Sequence, residues 1–257
     1  MGRAEDRVEV LGVGVDPLTV EELHAEIGRE IRAGGHALVL NANVHCLNLS
    51  YADPELRSFL NEAEVVFCDG AGVMLAARLL GRRIPERITY ADWIWRLASY
   101  ATAEGFDLYC LGARPGVAEK ATDKLKERYP SLQVAGIHDG YFDRSAGSPE
   151  NEAVIREINA VAPDILLVGF GMPLQERWLM ENWHRIDANV ALTGGAVFDY
   201  VSGGLRRGPR VLTDNGFEWL ARLMVEPRRL WRRYVVGNPI FLLRVLGQRL
   251  GQRYTNS

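Results

Sequence analysis

The chain of 257 residues lacks the usual marks of a metalloprotein, a disulfide-stapled domain or a membrane-spanning protein. Its three cysteines, Cys46, Cys68 and Cys110, are odd in number and widely spaced, and no Cys-x-x-Cys pair occurs. That excludes a zinc ribbon or a disulfide framework and predicts buried free thiols, which suit a reducing compartment. The five histidines, His24, His36, His45, His138 and His184, have no ligand spacing, so no metal and no other cofactor is expected. No apolar run reaches the roughly 18 residues of a spanning helix. The stretch Met1–Arg7 is charged and has no signal-peptide core, so a cytoplasmic location is expected. Neither Gly-x-Gly-x-x-Gly nor a P-loop pattern is present, which disfavours a standard dinucleotide or P-loop fold. There is no internal repeat and no low-complexity segment.

Lysine is absent after residue 205, whereas arginine is abundant. From Arg206 onward eleven arginines face three acids, Asp214, Glu218 and Glu226, a local balance of +8. The chain as a whole carries −3, so the preceding residues carry −11. Such a split predicts an acidic body and a basic arm that meets an anionic partner. In that arm the arginines are interleaved with Trp219, Leu223, Leu230, Trp231, Tyr234 and Phe241. So much apolar surface suits a helix in a lipid headgroup layer better than a nucleic-acid arm, with a plain core helix as the bland alternative that the arginine density argues against, and no nucleic-acid partner is expected.

The body alternates short apolar runs with helical patterns. Strands are predicted over Ala37–Leu40, Val65–Cys68, Leu108–Leu111, Ile165–Val168 and Val190–Leu192, with a weaker one at Leu132–Ala135. Val8–Val15 is expected to form an edge strand or small hairpin. Helical spacing covers Val20–Ile31, Pro54–Ala63, Ala71–Leu80, Ala91–Ala103, Gly116–Tyr129, Glu152–Val161 and Pro173–Trp183. Strands alternating with helices imply an α/β fold, a mostly parallel Rossmann-like sheet with helices on both faces. The boundaries expected are an α/β catalytic domain over 1–203 and a basic helical appendage over 204–257.

In such sheets ligands bind beyond the carboxyl ends of the strands. There the sequence carries Asn41-Ala42-Asn43, Asp69-Gly70-Ala71-Gly72, Gly112 to Gly116, Asp139-Gly140-Tyr141, Gly169-Phe170-Gly171-Met172-Pro173-Leu174-Gln175-Glu176 and Thr193-Gly194-Gly195. Asp69 has two readings, an N-cap or a general base; the polar strand ends around it favour the base. The glycine loops offer backbone N–H groups to a diphosphate, although a plain tight turn is the bland alternative for each. Gln175 suits a sugar or phosphate contact, or an exposed first-turn position. Asp92 and Asp199 are second-tier candidates.

Taken together, Asn43, Asp69-Gly70-x-Gly72, Arg87, Gly169-x-Gly171-x-Pro173-x-Gln175-Glu176, Gly194-Gly195-Ala196-x-Phe198-Asp199, Arg206-Arg207-x-Pro209 and Glu218-Trp219-x-x-Arg222-Leu223-x-x-Glu226-Pro227-x-Arg229 resemble the WecG/TagA/CpsF glycosyltransferases, glycosyltransferase family 26. The resemblance runs from about Val8 to about Leu246. It implies an inverting, metal-independent transferase with a UDP-sugar donor and an undecaprenyl-diphosphate-linked acceptor. Members add N-acetylmannosamine, its uronic acid or a hexose in surface polysaccharide synthesis, with a C-terminal appendage docked on the membrane. By position Asp69 matches the proposed base. Asn41 stands where the teichoic-acid members carry a threonine. Asn43 and Arg87 join them as catalytic candidates. Gly112, Gly140, Tyr141, Gly169, Gly171, Met172 and Gln175 are the donor-side candidates. Arg222, Arg229 and Arg232 match appendage arginines that reach the lipid diphosphate. Homo-oligomerisation is left open. The competing classes are a nucleotide-sugar epimerase or dehydrogenase, which would want a Tyr-x-x-x-Lys pair that is absent, and a non-catalytic membrane assembly protein.

Overall fold

The computed structural model describes residues 6–205, 208–209, 212–213 and 216–255, with side chains to Gln252. Arg206 and Arg207 of the motif quoted above lie outside the described residues. A six-stranded parallel sheet runs in the order β4-β3-β8-β7-β5-β6, from strands β3 (Ala37–Ala42), β4 (Val65–Cys68), β5 (Asp107–Gly112), β6 (Gln133–His138), β7 (Ile165–Gly169) and β8 (Val190–Thr193). A separate antiparallel hairpin joins β1 (Val8–Val10) to β2 (Val13–Val15). The chain divides into two compact units, one of residues 20–40 and 90–205, the other of residues 1–19, 41–89 and 206–257.

The first unit holds most of the sheet. β3 pairs with β8, β8 with β7, β7 with β5 and β5 with β6, all parallel. Every residue of β7 and β8 is buried, as a sheet covered on both faces requires. Its helices are α1 (Val20–Arg32), α5 (Tyr90–Glu104), α6 (Val117–Arg128), α7 (Pro149–Val161), α8 (Leu174–Asn182) and α9 (Val197–Ser202). In α1 the buried Val20, Leu23, Ile27 and Ile31 form one stripe, with Glu21 and Glu22 in the first turn and Arg29 and Arg32 in the last. Helix α7 starts three residues before its apolar pattern, because Ser148 caps Asn151 N at 3.1 Å and Pro149 fits the first turn.

The second unit contains the hairpin, α2 (Val44–Ala52), α3 (Pro54–Glu62), β4, α4 (Ala71–Leu79) and the C-terminal helices α10 (Glu218–Val225), α11 (Pro227–Trp231) and α12 (Gly237–Thr255). The hairpin turns through Leu11 (φ 55) and Gly12 (φ 83), both left-handed, as a two-residue turn of its twist demands. Buried Asp16 follows it, accepting from Arg7 Nε at 3.1 Å and from Val66 N at 2.7 Å. Helix α2 goes unsignalled in the sequence: Val44, Cys46, Leu47 and Leu49 are not spaced as a stripe. Its start is set by Asn43, whose Oδ1 accepts from His45 N and Cys46 N, each at 3.0 Å.

Among the described residues the arginine-rich segment packs within the second unit. It clusters with residues 1–19 and 41–89, and α12 packs on α2 and α4. Phe241 and Val245 of α12 are fully buried. Asn48 donates to Gly237 O at 2.8 Å, and Gln248 donates to Glu9 O while accepting from Leu11 N. A π turn over Arg232–Val236 joins α11 to α12.

Candidate active site

Asp69 stands one residue before the N-cap of α4, which is Gly70. The capping reading for Asp69 therefore fails. Its backbone N donates to Ala42 O at 2.8 Å, holding the ends of β4 and β3 together. Its carboxylate points at two amides: Asn41 Nδ2 donates to Oδ2 at 2.9 Å and Asn43 Nδ2 reaches the same oxygen at 3.4 Å. Oδ1 accepts no hydrogen bond among the described residues. Burial raises the Asp69 pKa, opposed by the amides of Asn43 and Asn41 and by the charges of Arg222 and Arg233. A carboxylate anchored through one oxygen, with the other open and its proton affinity raised, has the form of a general base.

Of the three appendage arginines, Arg222 is the one whose charge acts on Asp69. Arg229 is exposed and pairs with Glu226; Arg232 is exposed, its guanidinium 5.3 Å from its neighbour's Trp231 ring. Arg233, which the sequence reading passed over, takes the inward place. Its charge acts on Asp69 and on His45, and its Nε is buried without a hydrogen-bond partner among the described residues. Adjacent residues of a helix face different sides, so Arg233 is half-buried where Arg232 is exposed. Burial and the neighbouring Arg222 both lower the Arg233 pKa, and the Tyr234 and Asp69 charges raise it. Arg222 and Arg233 thus bring two positive charges near Asp69, a combination suited to an anion.

Arg87 donates through Nη1 to Thr213 O at 3.0 Å, and its charge is felt by the Cys68 thiol beside Asp69. Burial pushes the thiols of Cys68 and Cys110 up, so both are inert, and all three cysteines are free and buried. His45 was also missed. Burial, then Arg233, pulls its pKa down to about 4, so the imidazole is neutral at physiological pH.

The donor-side candidates lie in the sheet unit, at the carboxyl ends of β5, β6, β7 and β8. A Cβ on Gly112 would stand 2.5 Å from Gly169 O, one on Gly140 3.2 Å from Gly112 Cα, and one on Gly169 3.0 Å from Gly195 O. Only glycine permits these four strand ends to approach so closely. Ala113 N donates to Gly169 O at 3.1 Å and Gly140 N to Ala113 O at 2.8 Å. Gly171 (φ 84) and Gly195 (φ 56) have open space where a side chain would be. Tyr141 is 69% exposed, with its N–H on Asp139 Oδ1 at 2.7 Å. Met172 precedes a cis Pro173. Phe170 meets Phe142 and Trp178 edge-on, and the Arg144 guanidinium lies 5.0 Å from its ring.

Gln175 is neither an exposed first-turn residue nor free to reach a ligand. It is fully buried, its Oε1 accepting from Gly171 N at 3.1 Å and Gly195 N at 3.0 Å while Nε2 donates to Glu176 Oε1 at 2.8 Å. It ties the β7 and β8 loops together. Asp92 and Asp199 fall in the first turns of α5 and α9.

Residues 8–255 match the family described as glycosyl transferase WecG/TagA/CpsF. The chain belongs to the WecG/TagA/CpsF glycosyltransferase family. Among its relatives are proteins of Staphylococcus aureus strains NCTC 8325 and COL, each named N-acetylglucosaminyldiphosphoundecaprenol N-acetyl-beta-D-mannosaminyltransferase. Both are 26% identical to this chain over 241 residues, which is 93% of this chain and 92% of theirs. In this WecG/TagA/CpsF glycosyltransferase no described helix is long and apolar enough to cross a membrane.

Proposed function

We propose that this glycosyltransferase moves a sugar of the N-acetylmannosamine class, its uronic acid or a hexose from UDP onto a polyprenyl-diphosphate-linked sugar, with inversion. The observation that carries the reading is Asp69, held through Oδ2 by two amides with Oδ1 open, beside the charges of Arg222 and Arg233. The acceptor hydroxyl oxygen attacks the anomeric carbon as its proton passes to Asp69 Oδ1. The bond from that carbon to the UDP oxygen breaks from the opposite face, and UDP leaves with the electron pair. Arg222 and Arg233 suit the acceptor diphosphate. The glycine loops of the sheet unit are the donor-side candidates. Charge neutralisation by these groups supports a reaction without a metal.

The outer surface of the C-terminal segment supports docking at the inner face of the cell membrane. Trp231, Val235, Val236, Ile240, Leu243, Leu246 and Leu250 are exposed there, with Arg228, Arg229 and Arg232 beside them. The test is UDP release from UDP-N-acetylmannosamine with a synthetic polyprenyl-diphosphate N-acetylglucosamine acceptor, in Asp69→Asn and wild type. The reading requires acceptor-dependent release that the substitution abolishes while UDP still binds. Near-normal turnover by Asp69→Asn sinks it.

A further inference from the structure

Glu176 is a buried acid of the glycine-loop region that the mechanism above does not use. It sits in the first turn of α8, 1% exposed. Its Oε1 accepts from Gln175 Nε2, and its Oε2 is buried with no hydrogen-bond partner among the described residues. We propose that Glu176 is a positioning residue of the donor site: through Gln175 it sets the bridge between Gly171 and Gly195, and it does so as the neutral acid. The inference rests on the reading that these loops hold the donor diphosphate.

The geometry favours the neutral form. Because Oε1 is already an acceptor, Oε2 is the oxygen left to take a proton, and it has no partner among the described residues to stabilise a charge. Burial raises the pKa to about 7, outweighing the Gln175 amide and the residue's own N–H. The elements packed against α8 contribute His184 and Arg185 from the 3-10 turn Trp183–Arg185 and Glu152 from α7. Arg185 Nη1 and Glu152 Oε1 are joined to each other at 2.9 Å. When Glu176 ionises, a bare negative charge appears behind the two N–H groups that Gln175 aligns. Both N–H groups are spent on Gln175 Oε1, so the bridge acts on the donor by fixing the loops on which the diphosphate rests. Donor affinity therefore falls as pH rises through about 7.

The experiment measures UDP binding to the full-length protein by calorimetry between pH 6 and pH 8.5, for wild type, Glu176→Gln and Gln175→Ala. Comparing proteins at each pH cancels the titration of the nucleotide's own phosphate. Glu176→Gln keeps an acceptor oxygen for Gln175 and cannot ionise. Wild type should lose about three- to tenfold in affinity relative to Glu176→Gln across this range, the effect of one nearby charge. Gln175→Ala should bind weakly at every pH, because the bridge itself is gone. If Glu176→Gln and wild type follow one curve, Glu176 is merely structural and the proposal is overturned, with the donor reading intact. If wild type fails to bind UDP at any pH, both fall together.

Discussion

Asn41 Nδ2 lies 2.9 Å from Asp69 Oδ2, a contact between the ends of two strands 28 residues apart in the chain. It fixes which carboxylate oxygen is held, and it stabilises the ionised form of a group whose pKa burial raises.

Asp69→Asn is expected to lower turnover by about 100- to 10,000-fold, the usual worth of a general base. Asn41→Ala removes a hydrogen bond that lowers the Asp69 pKa, so that pKa rises further. Activity needs the carboxylate. Its acid limb therefore moves to higher pH in Asn41→Ala, and the loss shrinks as pH is raised. A pH–rate profile of both proteins checks this; an unshifted acid limb contradicts it.

Arginine substitutions should separate into two kinds. Arg222→Gln and Arg233→Gln take charge from beside Asp69 and should raise KM for the lipid-linked acceptor by about tenfold or more. Arg232→Gln changes an exposed side chain stacked on Trp231 and should leave turnover on a detergent-dispersed, short-chain acceptor near wild type. Steady-state kinetics with such an acceptor distinguishes them.

Membrane docking is best tested by point substitutions. Deleting the C-terminal segment would also remove Phe241 and Val245 from the core. The double variant Leu243→Glu and Leu250→Glu alters side chains that are 69% and 56% exposed. It should weaken binding to anionic vesicles by about tenfold or more with little change in melting temperature. Co-sedimentation alongside thermal melts reads both. Unchanged pelleting would place the membrane contact elsewhere.

Stability should carry the mark of Glu176. Its folded-state pKa is raised from 4.5 to about 7, so between those values the folded chain holds a proton that the unfolded chain has released. Stability then falls as pH rises from about 4.5 to about 7 and levels off above, by roughly 3 kcal/mol if this group acts alone. Glu176→Gln should lack that decline. Denaturant midpoints of the two proteins at pH 5 and pH 8 measure it.

Much of the molecule was legible in local pattern. Continuous apolar runs marked β4 without error, and β3, β5, β7 and β8 to within two residues at either end. Edge strand β6, exposed or half-exposed throughout, was read one residue early at its start and three residues short at its end, because one covered face leaves a weaker apolar signal. Helix α2 escaped because its burial comes from helices on several sides, which erases the stripe. Asp69 could be picked out because an acid between a buried strand and a glycine turn is a local feature.

By itself, the sequence determined the alternation of strands and helices, the placement of polar and glycine-rich residues at strand ends, and the basic, apolar character of the C-terminal segment. Tertiary structure decided which side chains meet. It joined Asn41 and Asn43 to one oxygen of Asp69, buried Gln175 as a tie between two loops, and left Glu176 with an unpartnered oxygen. It also half-buried Arg233 near Asp69 and left Arg229 and Arg232 exposed. The physical reason is that periodicity reports which face of an element is apolar, whereas a hydrogen bond or a buried charge depends on distances between elements far apart in the chain.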